Sequence, residues 1–175
     1  MTAEDIVFYL SLLGEALKHN GVYGEIILTG GAVMTLIHEA RDSTKDIDAL
    51  FEPKSLIYTL AHAIAEEHGL ASDWLNDGVK GFISLPVLSR PYAVFGNLSI
   101  ATVTPEYLLA MKLMALRPNT SDFEDVAFLL ELIGITEGHQ ATELLENFFP
   151  ANNIPPRVTY FLEEYFSRKR ASQSP

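Results

Sequence analysis

The chain reads as an α/β (α+β) domain, a small mixed β-sheet flanked by helices and followed by a helical C-terminal half. Three observations predict this. β-rich runs alternate with helical periodicity through the N-terminal part, the strand-like segments are short, and everything from Thr104 onward carries helix signals alone. At 175 residues the chain has the length of one domain and can bury a substantial core.

The elements follow in order. Ile6, Leu10, Leu13 and Leu17 recur at helical spacing over residues 3 to 19, and Asn20-Gly21 closes that helix. Glu25 to Thr29 is a β-rich run that ends at Gly30-Gly31 and reads as a buried strand. Ala32 to Ala40 reads as a helix opened by the two glycines. Lys45 to Phe51 alternates charged and apolar residues as a strand does, and Pro53 starts the next helix, residues 54 to 69. A loop rich in Asp, Asn and Gly (72 to 81) precedes two expected strands, Gly81 to Leu85 and Tyr92 to Phe95. Gly96-Asn97 then turns the chain into a strand over Leu98 to Val103. Thr104-Pro105-Glu106 opens a helix with an N-cap threonine, a first-turn proline and an acid near the positive end. Ser121-Asp-Phe-Glu124 is a capping-box pattern that opens a helix to Leu132. Helices near 137 to 148 and 156 to 167 follow, and "SRKRASQSP" reads as a tail. The expected division is a core over 1–104, a helical part over 105–168 and a flexible tail over 169–175.

Composition narrows the function. A net charge of -11 argues against broad duplex DNA binding, which needs clustered Lys and Arg to displace counterions. With no cysteine there are no disulfides, thiolate nucleophiles or Cys-type zinc sites. The most apolar stretch, Ile26 to Ile37, is too short and too interrupted by Gly and Thr to span a bilayer. No basic start with a cleavage site precedes Glu4 and Asp5, so a cytoplasmic protein without membrane partners is expected.

The chemistry concentrates in "LTGGAVMTLIHEARDSTKDIDAL", residues 28 to 50. On a strand, Asp46 and Asp48 project to one side while Ile47 points into the core. Same-side residues lie roughly 6.5–7 Å apart, so their carboxylates can converge on a hard cation. Mg²⁺ suits such ligands and is usually held by one or two carboxylates together with substrate phosphates. A Gly-Gly step between strand and helix lets backbone approach a phosphate closely. Each half alone has a plain alternative, a tight turn or a solvent-facing strand edge. The combination in this order describes a nucleoside-triphosphate site.

Those residues resemble the signature of the polymerase-β-like nucleotidyltransferase superfamily, a Gly-Gly helix start followed by a strand of the form h-D-h-D-h. Arg41 and Thr44 ahead of Asp46 and Asp48 are similar to the small abortive-infection and toxin–antitoxin nucleotidyltransferases. "VTPEYLLAMKLMALRPNTSDFEDVAFLLEL", residues 103 to 132, resembles the helical block of the same proteins. The resemblance implies the nucleotidyltransferase fold and a Mg²⁺ (or Mn²⁺) dependent transfer from an NTP to a hydroxyl acceptor, transfer RNA or protein. The setting it implies is toxin–antitoxin or phage defence, with a cognate partner protein. It implies Asp46 and Asp48 as catalytic metal ligands and Gly30, Gly31, Arg41 and Thr44 as nucleotide-binding residues. Lys112 would face phosphate, Asp122 would be catalytic, and Asp125 matches the second aspartate of the helical motif. Plain alternatives are a surface lysine and carboxylates at a helix start.

The chain departs from the superfamily in three places. Members carry a third carboxylate on a later strand, whereas "NLSIATVTP" offers Asn97, Ser99 and Thr102 but no acid. Ser121 stands where the toxin-like motif has a basic residue, and a proline follows Arg117. Two readings therefore stand side by side: Asp122 supplies the missing acid, or the protein binds nucleotide or a partner without transferring. His62 and Glu66 in "HAIAEEH" are one turn apart but lack the H-E-x-x-H order and read as a surface helix. Ser11, Ser84, Ser89 and Ser99 have no nucleophile-elbow context. The C-terminal aromatics read as core or a subunit contact, and Arg168-Lys-Arg170 as a solvated end.

Overall fold

The structure is a computed structural model that describes residues 1–84, 86–116 and 122–173. The chain divides into two compact units, Met1–Gly81 with Leu88–Thr104, and Phe82–Val87 with Pro105–Pro175.

The first unit begins with α1 (Ala3–His19), fixed at its start by a reciprocal capping box between Thr2 and Asp5. Its stripe of Ile6, Leu10, Leu13 and Leu17 is fully buried. Five strands form one mixed sheet: β1 (Gly24–Leu28), β2 (Ile47–Glu52), β3 (Leu75–Asn76), β4 (Ser89–Phe95) and β5 (Leu98–Val103). Their order across the sheet is β3-β2-β1-β5-β4. The central β1 runs antiparallel to β2, with Leu28 opposite Ala49, and parallel to β5, with Leu28 opposite Thr102. Between β1 and β2 lies α2 (Gly30–Leu36), and between β2 and β3 lies α3 (Lys54–His68), which ends at left-handed Gly69. Alternation along β2 buries Ile47, Ala49 and Phe51 and leaves Asp48 and Leu50 half-buried. On the buried side α1 and α3 pack over the sheet, and Trp74 donates its indole N–H to the Ala61 carbonyl at 2.9 Å.

Backbone meets backbone where α1 crosses the β4–β5 turn. A Cβ on Gly14 would lie 2.0 Å from the Phe95 carbonyl oxygen, and Asn97 N–H donates to the Gly14 carbonyl at 3.1 Å. Only glycine permits that approach.

The second unit holds α4 (Pro105–Ala115), α5 (Asp122–Leu132), α6 (Gly138–Glu146) and α7 (Pro156–Gln173). Leu108, Leu109, Leu113, Val126, Leu129, Leu145 and Leu162 build its core. Buried Tyr107 ties segment 82–87 into this unit: its hydroxyl accepts from Ser84 N–H at 2.9 Å and donates to the Ser84 carbonyl. Burial pushes that phenol above its usual range, against the hydrogen bonding to Ser84.

The mixed sheet with helices and the helical C-terminal half are as the sequence predicts. The differences are local. The expected strand from Gly81 is absent among the described residues; Gly78–Phe82 is a 3₁₀ turn, set by Gly78 N–H donating to Asn76 Oδ1 at 2.9 Å. The far end of that strand, Leu85, lies outside the described residues, as do Arg117 and the expected cap Ser121. The helix expected to reach Ala40 ends at Leu36, before Glu39 takes a left-handed φ of 51°. β2 starts at Ile47 rather than Lys45, and β4 starts at Ser89, before Tyr92. Segment 82–87 belongs to the helical unit, not to the core assigned over 1–104. Helix α7 continues through the basic run expected to be a tail, and within it Arg168 pairs with Glu164 and Lys169 with Glu131. Among the described residues no helix is long and apolar enough to cross a membrane.

Candidate functional site

The site forms where the turn after β1 meets the start of β2. Thr29 N–H donates to the Asp48 carbonyl at 2.9 Å, which carries the antiparallel pairing past the end of β1 and sets the glycine turn against Asp48. Gly30 has a left-handed φ of 59°, and a Cβ there would lie 2.8 Å from Asp48 Oδ2. At Gly31 a Cβ would lie 2.3 Å from Thr44 Oγ1 and 3.7 Å from Arg41 Nη1. The two glycines are thus seated directly on Asp48, Thr44 and Arg41, five of the residues that the sequence singles out.

Asp46 joins this group through two contacts. Thr44 is buried, and its hydroxyl donates to the Asp46 carbonyl at 3.1 Å. From the sheet edge, Asn76 Nδ2 approaches Asp46 Oδ2 at 3.5 Å while Asn76 itself pairs with Asp48 in the β2–β3 register. That shared neighbour places Asp46 and Asp48 on one side of the fully buried Ile47. The Asn76 amide is oriented by Gly78 N–H on its oxygen. Next to it, Asp77 is held by the Lys54 ammonium at 3.2 Å and the Tyr58 hydroxyl at 2.7 Å. Asn76 was not legible in the sequence. It sits in a polar loop with no motif, and its only clue is the brief apolar step Trp74-Leu75 ahead of it.

The donor set offers a hard divalent cation two carboxylates. Two half-buried carboxylates, pressed against a turn that has no Cβ, match a Mg²⁺ or Mn²⁺ that completes its shell with phosphate and water. Among the described residues no group of three or more His, Asp or Glu side chains is disposed to enclose a metal. The β5 strand, beside β1, carries no acid.

Lys112, Asp122 and Asp125 come together in the helical unit. The Lys112 ammonium lies 2.9 Å from Asp122 and 2.8 Å from Asp125, bridging α4 to α5. Lys112 is 13% exposed and Asp125 2%, so neither is a surface group. His62 and Glu66 stand 3.6 Å apart and well exposed on α3, as a surface helix requires.

Compared with protein-family models, with curated proteins and with solved structures, the chain matches none.

Proposed function

We propose that the chain is a nucleotidyltransferase of the polymerase-β-like type, transferring a nucleotidyl group from an NTP to a hydroxyl of RNA or protein. One observation carries this reading: the glycine turn and the Asp-Ile-Asp segment, fifteen residues apart in sequence, pack directly on one another with Arg41 and Thr44 between. A phosphate-approachable backbone beside two acids is the arrangement that a metal-bearing triphosphate needs.

The chemistry is an in-line displacement. The acceptor hydroxyl forms a bond to the α-phosphorus, the bond to the bridging oxygen breaks, pyrophosphate leaves and the hydroxyl proton is released. Asp46 and Asp48 would hold the Mg²⁺, which when bound neutralises charge on the triphosphate. The Gly30-Gly31 backbone fixes phosphate oxygens. Arg41 adds a permanent positive charge beside that turn. Thr44 holds the backbone of Asp46, so its carboxylate is set before substrate arrives. Lys112 and Asp122 keep the roles of the resemblance only if their ion pair opens, and no step here depends on them. In the superfamily's toxin-type members this activity serves toxin–antitoxin or phage-defence systems, and the same setting is proposed here, with a cognate partner protein.

The test incubates the purified chain with α-labelled NTPs, Mg²⁺ and total cell RNA or lysate. Label should appear in a macromolecule and disappear with Asp46→Asn or Asp48→Asn. Calorimetry that finds no binding of any Mg-NTP ends the proposal. A second reading, nucleotide binding without transfer, is favoured by the acid-free β5 strand and by the two-carboxylate donor set. Mg-NTP binding that is lost in Asp48→Asn, with no labelled product from any acceptor pool, selects it.

A further inference from the structure

The helical unit carries a trough that the nucleotide chemistry does not use. Helices α5 and α7 touch at two places. Phe123 meets Phe161 with ring centroids 5.0 Å apart, and Lys169 reaches Glu131 at 2.8 Å. Both pairs share one sequence offset, so the helices run side by side in the same direction. The two contacts lie two turns apart along α5, about 12 Å at 1.5 Å per residue.

Midway between them, Ala127 on α5 faces the level of Tyr165 on α7. A methyl group stands where a larger side chain would close the gap. The result is an open trough of about 810 Å³, with Phe123, Ala127, Phe161 and Tyr165 half-buried in its floor and walls. Phe161 and Tyr165 stack at 6.0 Å, which stiffens the aromatic wall.

The charges at the mouth have a sign. Both cations of the trough are already engaged within the chain, Arg168 with Glu164 at 2.5 Å and Lys169 with Glu131 at 2.8 Å. Glu124 stands exposed at the same mouth, on a chain of net charge -11. A second copy of so acidic a chain meets repulsion here, whereas a basic partner is attracted.

We infer that this trough is a docking site for an amphipathic helix of a basic partner protein. Two turns of that helix seat aliphatic anchors on Phe123, Ala127, Phe161 and Tyr165, as helix-in-groove recognition does. Lys or Arg on its flank faces Glu124, the acid of the mouth outside those two pairs. Docking here does not depend on the nucleotide chemistry.

The test uses the full chain and a fluorescein-labelled helical peptide about four turns long, with a Leu stripe and Lys flanks. Fluorescence anisotropy should show saturable binding, at least about tenfold weaker for the same peptide with Glu flanks. Ala127→Leu, which takes up the space of one anchor midway along the trough, should weaken the Lys-flanked peptide about tenfold. Glu124→Lys, at an exposed position that leaves the core untouched, should weaken it several-fold, with the gap closing as salt is raised. Equal binding of the two peptides, or unchanged binding in both variants, overturns the inference. So does light scattering that finds a dimer dissociated by Ala127→Leu, since the trough would then belong to a second copy.

Discussion

Gly31 and Thr44 are in such close contact that one methyl group decides the site's geometry. In Gly31→Ala the new Cβ must displace Thr44 Oγ1, now 2.3 Å from that position, and overpacking of this kind costs about 1–3 kcal/mol. Urea unfolding should show that loss, and the double change Gly31→Ala with Thr44→Ala should recover part of it. Nucleotide binding should stay impaired in the double variant, because the Thr44 hydroxyl no longer holds the Asp46 backbone. Lys112 sets a different test. Lys112→Met removes the ammonium 2.8 Å from buried Asp125, and breaking such a pair costs about 3–5 kcal/mol. Chemical denaturation should report that loss whether or not NTP is present; a variant as stable as the parent refutes the structural role. The spacing of Gly30, Gly31, Asp46 and Asp48 was legible in the sequence because adjacent elements carry them. Asp125 was not: a carboxylate in the first turn of a helix looks like a dipole partner, and only the packing of α4 on α5 buries it.

Along the sheet, Glu25 on β1 lies directly opposite Glu52 on β2, both exposed. Like charges at paired positions oppose each other across the ladder. Glu25→Lys should raise the melting temperature in low salt, by an amount that shrinks as ionic strength rises; a lower melting temperature contradicts the register. The α1 crossing gives the opposite sign. Gly14→Ala drives a Cβ into the Phe95 carbonyl and should cost at least about 1–3 kcal/mol in urea unfolding. Helix α1 was readable because the apolar stripe and the Asn20-Gly21 stop agree on one element; its Thr2–Asp5 capping box came only with the structure. β3 was not, since two residues have no periodicity and become a strand only by pairing with Ile47 and Asp48. The false strand at Gly81 has the same origin, a turn held by a side chain, Asn76, that local pattern cannot reveal. Asn76 also shows why the site was only partly readable: it reaches Asp46 across a sheet edge, not along the chain.

For the whole molecule, His38 is one link between stability and pH. Burial holds its imidazole below the usual range, so the unfolded chain takes up its proton first as pH falls. Its stability contribution is therefore present above the unfolded value near 6.5 and is lost as pH falls toward the lower folded value. Unfolding free energy should decline from neutral pH into that window, and His38→Phe should flatten the slope. The overall charge of -11 also bears on partners: duplex DNA should show no mobility shift at physiological salt. The division into two units has one more consequence, which follows from Trp74. It is the sole tryptophan of the chain, it is buried, and it belongs to the α/β unit just ahead of β3. Indole emission therefore watches that unit alone, while far-ultraviolet dichroism sums the helices of both units. Heating one sample under both spectroscopies asks whether the halves melt as a single block: superimposed curves mean one cooperative transition, and separated curves mean that each half keeps its own midpoint.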